Sequence, residues 1–197
     1  MSAERKAAHL SAMIELHFLD FEGVLIKYGI TQNDTFNMDE TGFRIGCLGG
    51  QLVITHLATK AVYLSDPDNR EMALFVKCIS GAGWAVKSMI ILARTVLIKK
   101  HFNNAIDDDV LFAISKSGYS NAYLGLEWLK HFDRQTAGRR EGKYRMLVFD
   151  GHGSHLTDEF TYYCWEHDII PFRLLSHSTH LLQPLDIGVF QPFKHWH

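Results

Sequence analysis

The run Met146-Leu147-Val148-Phe149, closed by Asp150 and followed by Gly151-His152-Gly153-Ser154-His155, constrains this chain most. Tyr144 to Phe149 is apolar without clear alternation, as expected of a strand buried on both faces in an α/β protein. Sheets of that kind carry their sites at the C-terminal ends of their strands. Asp150 stands at such an end.

Two further acids share distinctive flanks. Asp186 closes His177-Ser178-Thr179-His180-Leu181-Leu182-Gln183-Pro184-Leu185-Asp186, with 35 residues between it and Asp150. Pro184 fits the first turn of a last helix, with Asp186, Val189, Phe190 and Phe193 on one face. Asp39 lies far upstream in Phe36-Asn37-Met38-Asp39-Glu40-Thr41-Gly42-Phe43. Phe36 and Met38 alternate with polar neighbours, which predicts a strand over 35–39. Each acid also has a plainer account. An anion is welcome at a helix N-terminus, and a lone aspartate at a strand end is more often a turn or cap residue.

Taken together the three permit a specific chemistry. Phosphodiester cleavage needs an activated water and charge neutralised on the phosphate, and divalent ions supply both. Hard ions such as Mg2+ or Mn2+ require carboxylate oxygens from several elements. The histidines offer a rival. Seven of the twelve fall after Gly151, and His152, His155, His177 and His180 could hold zinc. Their other role is to orient carboxylates or contact phosphate around an acidic centre. Arg139, Arg140 and Lys143 make the stretch before Tyr144 the most basic in the chain. It is either a solubilising loop or a phosphate contact near the acids.

The remaining pattern places these residues on a fold. Residues 3–28 predict one or two helices, stopped at Gly29. Gly42, Gly46, Gly49 and Gly50 read as turns. Strands are expected at 52–55, 61–64, 71–80 and 86–92, the last two joined by Gly81-Ala82-Gly83. Residues 93–120 are ambiguous, and Asp107-Asp108-Asp109 reads as a solvated loop or cap. Asn121 caps a helix over 121–132. Thr157 caps another, with Asp158 and Glu159 in its first turn and Phe160, Tyr163, Cys164 and His167 facing inward. Ile169 to Leu174 reads as a further buried strand.

Composition sets limits. A net charge of -2 with neutral histidine excludes a uniformly basic nucleic-acid clamp. Cys47, Cys78 and Cys164 form neither a zinc pair nor a disulfide framework, so buried free thiols are expected. No secretory leader or membrane-length apolar window is visible, so an intracellular protein without a membrane partner is expected.

The ordered motifs resemble one family. Phe36 to Phe43, Asp68-Asn69-Arg70-Glu71 with Ile79-Ser80-Gly81-Ala82-Gly83, Gly118-Tyr119 through Leu126 to Phe132, Leu147 to His155, and His177 to Phe190 are similar to blocks of the DDE superfamily endonuclease domain of pogo- and Tigger-type transposases, a family that includes centromere protein B. The resemblance implies an α/β, ribonuclease H-like mixed central sheet flanked by helices. It implies the catalytic domain over 30–197, ending short of the family's last helix, and leaves the helical segment over 1–29 outside the likeness.

It also implies magnesium-dependent DNA nicking and strand transfer. Asp39, Asp150 and Asp186 would be the catalytic, metal-binding triad. Glu40, His152, His155, His180 and Gln183 would support it, and Arg139, Arg140 and Lys143 would contact nucleic acid. The partners implied are DNA and a second copy of the chain, in the nucleus, with no small organic cofactor. Departures are Ser176 where the family has proline, no glycine-rich turn after the Ile91 strand, and no room for a helix-turn-helix module before Asp39. They support an alternative: a domesticated or decayed copy that binds DNA or protein without cutting.

Overall fold

A computed structural model describes residues 3–44, 72–96, 109–150, 157–175 and 182–190. The strands expected at 52–55 and 61–64 lie outside the described residues. Among the described residues the elements follow in order: α1 (Ala3–Tyr28), β1 (Thr35–Arg44), β2 (Met72–Ser80), β3 (Ala85–Ala93), β4 (Leu111–Ser115), α2 (Ala122–Thr136), a 3-10 turn (Ala137–Arg139), β5 (Arg145–Phe149), α3 (Asp158–Glu166), β6 (Ile169–Arg173) and a π-helical turn, Asp186–Phe190.

The six strands form one mixed sheet in the order β4-β3-β2-β1-β5-β6. β1 pairs antiparallel with β2, and β2 with β3; β1–β5, β5–β6 and β3–β4 are parallel. This is the expected ribonuclease H-like mixed sheet flanked by helices. Alternation along each strand separates two apolar layers. Phe36, Met38, Val76, Cys78, Leu147 and Phe149 pack with Leu124, Trp128, Leu129 and Phe132 of α2 and Phe160 and Cys164 of α3. Met146 and Val148 point the other way, onto Phe21, Val24, Leu25 and Tyr28 of α1. β5 is therefore buried at every position, which is why its sequence lacks alternation.

Local signals set the helix ends. Asn121 Oδ1 accepts from the Leu124 amide at 3.0 Å, and Thr157 Oγ1 from that of Phe160 at 3.2 Å. Gly29, at φ 62°, ends α1 in the left-handed conformation that glycine adopts without strain. Residues 3–28 form one helix rather than two.

Several expectations shift. Gly42 lies inside β1 rather than in a turn, because pairing with β2 runs on to Arg44↔Met72. The Met72 side chain lies across it, and a Cβ there would stand 2.6 Å from Met72 Cε. β6 lies at the sheet edge, with Ile169 its only fully buried residue. Pro171, which has no amide to donate, suits that edge position. β4 emerges from the ambiguous 93–120 stretch by parallel pairing to β3. Cys78 and Cys164 are buried free thiols; Cys47 lies outside the described residues.

Candidate metal and nucleic-acid site

The β1–β5 pairing sets two of the acids side by side. Thr35, Phe36 and Asn37 are in register with Met146, Leu147 and Val148. Continuing that parallel register two places sets Asp39 level with Asp150, just past the end of β5. Asn37 and Asp39 share the face that carries Met146 and Val148, since side chains alternate along a strand. Glu40 projects from the opposite face, opposite Val76 of the α2-side core. Its contribution to Asp39 is its backbone amide, which donates to Oδ1 at 2.8 Å.

Asp186 is delivered by the 182–190 segment, and two amide side chains fasten that segment to β1. Asn37 Nδ2 donates to Gln183 Oε1 at 2.8 Å and to the Val148 carbonyl at 3.3 Å. Asn37 Oδ1 accepts from the Leu185 amide at 3.2 Å. Gln183 is fully buried, and its Nε2 donates to the Met38 carbonyl at 3.1 Å. Gln183 thus spans β1 and the final turn. Sequence reasoning gave Asn37 no role, although it precedes Asp39 by two places and must share its face. The final turn is π-helical, with Phe190 buried and Asp186 and Val189 half-buried; Phe193 lies outside the described residues.

Asp39 is deeply buried. It is 8% exposed, and its Oδ2 is buried without a hydrogen-bond partner. Burial pushes its pKa up to about 6, and the charges of Asp186 and Asp150 add to the rise. The Gln183 amide and the Glu40 N–H oppose it by favouring the ionised form. Both other acids are thus within electrostatic reach of Asp39. Yet among the described residues no three histidine, cysteine, aspartate or glutamate side chains gather closely enough to hold a metal ion. Coulomb interaction extends well beyond ligand distance, so the two observations are compatible.

Other expected site residues fall elsewhere. His152, His155, His177 and His180 lie outside the described residues, as do Asp107 and Asp108. Arg139, Arg140 and Lys143 precede β5 and so sit at the opposite end of that strand from Asp150. Five residues at about 3.3 Å each separate the two ends. Arg139 lies over the Trp84 ring at 4.9 Å, and Arg140 and Lys143 each face Asp168 at 3.7 Å. The basic loop and the acids are not brought together.

Comparison with known proteins gives this arrangement a relationship. A family model described as DDE superfamily endonuclease matches residues 69–196. In a Mos1 transposase paired-end complex with left transposon end, the protein matches with a TM-score of 0.58 at 12% identity, covering 88% of this chain and 45% of that one. The mariner Mos1 paired end complex with Mg gives 0.57 at 13% identity over 88% and 45%.

At sequence level the chain is 37% identical over 172 residues to a Cochliobolus lunatus protein named MFS-type transporter clz9, covering 85% of this chain but 18% of that protein. The chain thus spans under half of these two transposase chains and about a fifth of the fungal protein. No helix among the described residues is long and apolar enough to cross a membrane. The family match covers the segments bearing Asp150 and Asp186, and the fold likeness covers 88% of the chain. The chain belongs to the DDE superfamily endonuclease family.

Proposed function

We propose that this chain is a transposase-derived domain that binds DNA without cutting it in the arrangement described. The observation that carries this reading is the spacing of the acids: Asp39 senses Asp150 and Asp186, yet no three-ligand cluster forms among the described residues. Carboxylates that are not gathered do not position an ion for attack on a phosphodiester. DNA as partner, and action as a pair, are carried over from Mos1, which is solved in paired-end complexes, one of them with left transposon end.

A second reading, metal-dependent DNA nicking and strand transfer, is favoured by the Asp39 carboxyl. Its Oδ2 is buried without a partner, and burial, with a smaller push from the Asp186 and Asp150 charges, raises its pKa to about 6. A divalent cation would relieve both conditions, and carboxylate oxygens are the donors that Mg2+ and Mn2+ prefer. Asp39, Asp150 and Asp186 would hold it; Mos1 structures are solved with either metal. Such an ion, when bound, neutralises phosphate charge and acidifies water. The chain's own part is positional. Asn37 and Gln183 tie the final turn to β1, which fixes where Asp186 sits relative to Asp39.

One experiment separates the readings. The purified chain and Asp150→Asn are each incubated with supercoiled plasmid, with and without Mg2+ or Mn2+, and scored for DNA retention and nicking. Retention by both without Asp150-dependent nicking supports the binding domain. Metal-dependent nicking lost in Asp150→Asn supports the nuclease. Equal nicking by both sinks the catalytic role of Asp150, and failure to retain DNA overturns the binding reading.

A further inference from the structure

A DNA backbone passing the acids needs a cation on their side of the sheet. The basic loop does not supply one, because it lies at the far end of β5 and its charges are engaged by Trp84 and Asp168. Arg145 is held by Asp133, and Lys130 by Glu127. Lys77 differs from all of these. It stands on β2 directly opposite Asp39, and opposed residues of an antiparallel pair project from the same face. Its stem is half-buried, and its Nζ donates to Ser88 Oγ on β3 at 2.5 Å. No carboxylate among the described residues pairs with it. Burial pushes its pKa below the usual lysine value, as expected of an ammonium partly desolvated without a counter-charge.

We propose that Lys77 is the residue that holds a backbone phosphate of bound DNA beside Asp39, positioned by Ser88. This rests on the DNA-binding reading above. Ser88 uses one of the three ammonium donors and fixes the direction of the side chain; the other two remain for phosphate oxygens. Lysine binds phosphate as a compact point charge, so the contact adds affinity without reading sequence. Neighbouring strands lie about 4.8 Å apart. A phosphate on Lys77 would therefore sit one or two strand spacings from the Asp39 carboxyl.

The test is the salt dependence of binding. Affinity for a fluorescent duplex of about 30 base pairs is measured against salt concentration for the wild type, Lys77→Met, Lys77→Arg and an Arg140→Gln/Lys143→Gln double variant. Lys77→Met is expected to weaken binding and lower the slope of log affinity against log salt by about 1. Lys77→Arg is expected to keep the slope, and so is the double variant. A wild-type slope in Lys77→Met overturns the assignment while leaving DNA binding intact.

Absence of salt-dependent binding by the wild type overturns both the assignment and the reading beneath it. A second measurement needs no variant: wild-type protein is acylated with an amine-reactive reagent, with and without saturating duplex, and Lys77 modification is read by mass spectrometry. Protection of Lys77 supports the contact, and unchanged modification defeats it.

Discussion

Two buried carboxylates five residues apart on one segment, Asp34 and Asp39, are treated oppositely by the fold. Asp34 is fully buried and satisfied. Its oxygens accept from the Gly142 amide at 2.7 Å, the Glu141 amide at 3.1 Å and the Thr31 hydroxyl at 3.3 Å. Around it, the start of β5 is nearly as complete, with Arg145 Nε the one buried side-chain atom of that cluster left without a partner. Arg145 donates to Asp133 Oδ1 at 2.6 Å, Thr136 Oγ1 at 2.6 Å and the His167 carbonyl at 2.8 Å. Tyr163 and His167 contact the other Asp133 oxygen at 3.2 and 2.7 Å.

Asp39, at the other end, accepts one backbone hydrogen bond, leaves Oδ2 without a partner and sits in the field of two more acids. A buried polar group costs stability unless it is hydrogen-bonded. One end of the β1–β5 pair has settled that cost locally. The other has left it open, as binding sites do.

Substitutions at the two ends should differ in both size and sign. Arg145→Met should be the most damaging change, because it strands the Asp133 carboxylate beside a buried position; a loss of about 3–5 kcal/mol in urea unfolding is expected. A neutral result would mean that the satisfied end contributes nothing to stability.

Asp39→Asn should act with the opposite sign. A carboxyl whose folded pKa is raised from 3.8 to about 6 favours folding fully below pH 3.8 and loses that contribution as pH rises through 6. The substitution should therefore stabilise by up to about 3 kcal/mol at pH 8 and by little at pH 4. Destabilisation at pH 8 would show that Asp39 is as satisfied as Asp34. Smallest of all, the exposed loop pair Arg140→Gln/Lys143→Gln should leave the unfolding curve unchanged, because solvent-screened contacts at 3.7 Å contribute little.

Much of this arrangement is legible in residues read along the chain. The unbroken apolar run before Asp150, the caps at Asn121 and Thr157, the stop at Gly29 and the hairpin between β2 and β3 each follow from local rules and recur in the structure. β4 is not legible, because Leu111 to Ser115 is short and half-buried throughout, and only β3 beside it makes it a strand. Gly42 reads as punctuation yet continues a strand, since cross-strand pairing outweighs local propensity. Glu40 is attractive as a supporting acid by proximity in sequence, yet adjacent strand residues face opposite ways. The basic loop is attractive by proximity to Asp150, yet five strand residues carry the two apart.

Short contiguous motifs carry the family and, through it, the mixed sheet between helices, and they single out three aspartates as candidates. The tertiary structure alone decided that Asn37 and Gln183 clamp the final turn to β1, that Asp39 keeps an unpartnered oxygen, and that Lys77 stands across from it. Those relations depend on which strands lie side by side and in what register. Contacts spanning 38 to 148 residues of chain are fixed by packing and pairing, and no local pattern encodes them.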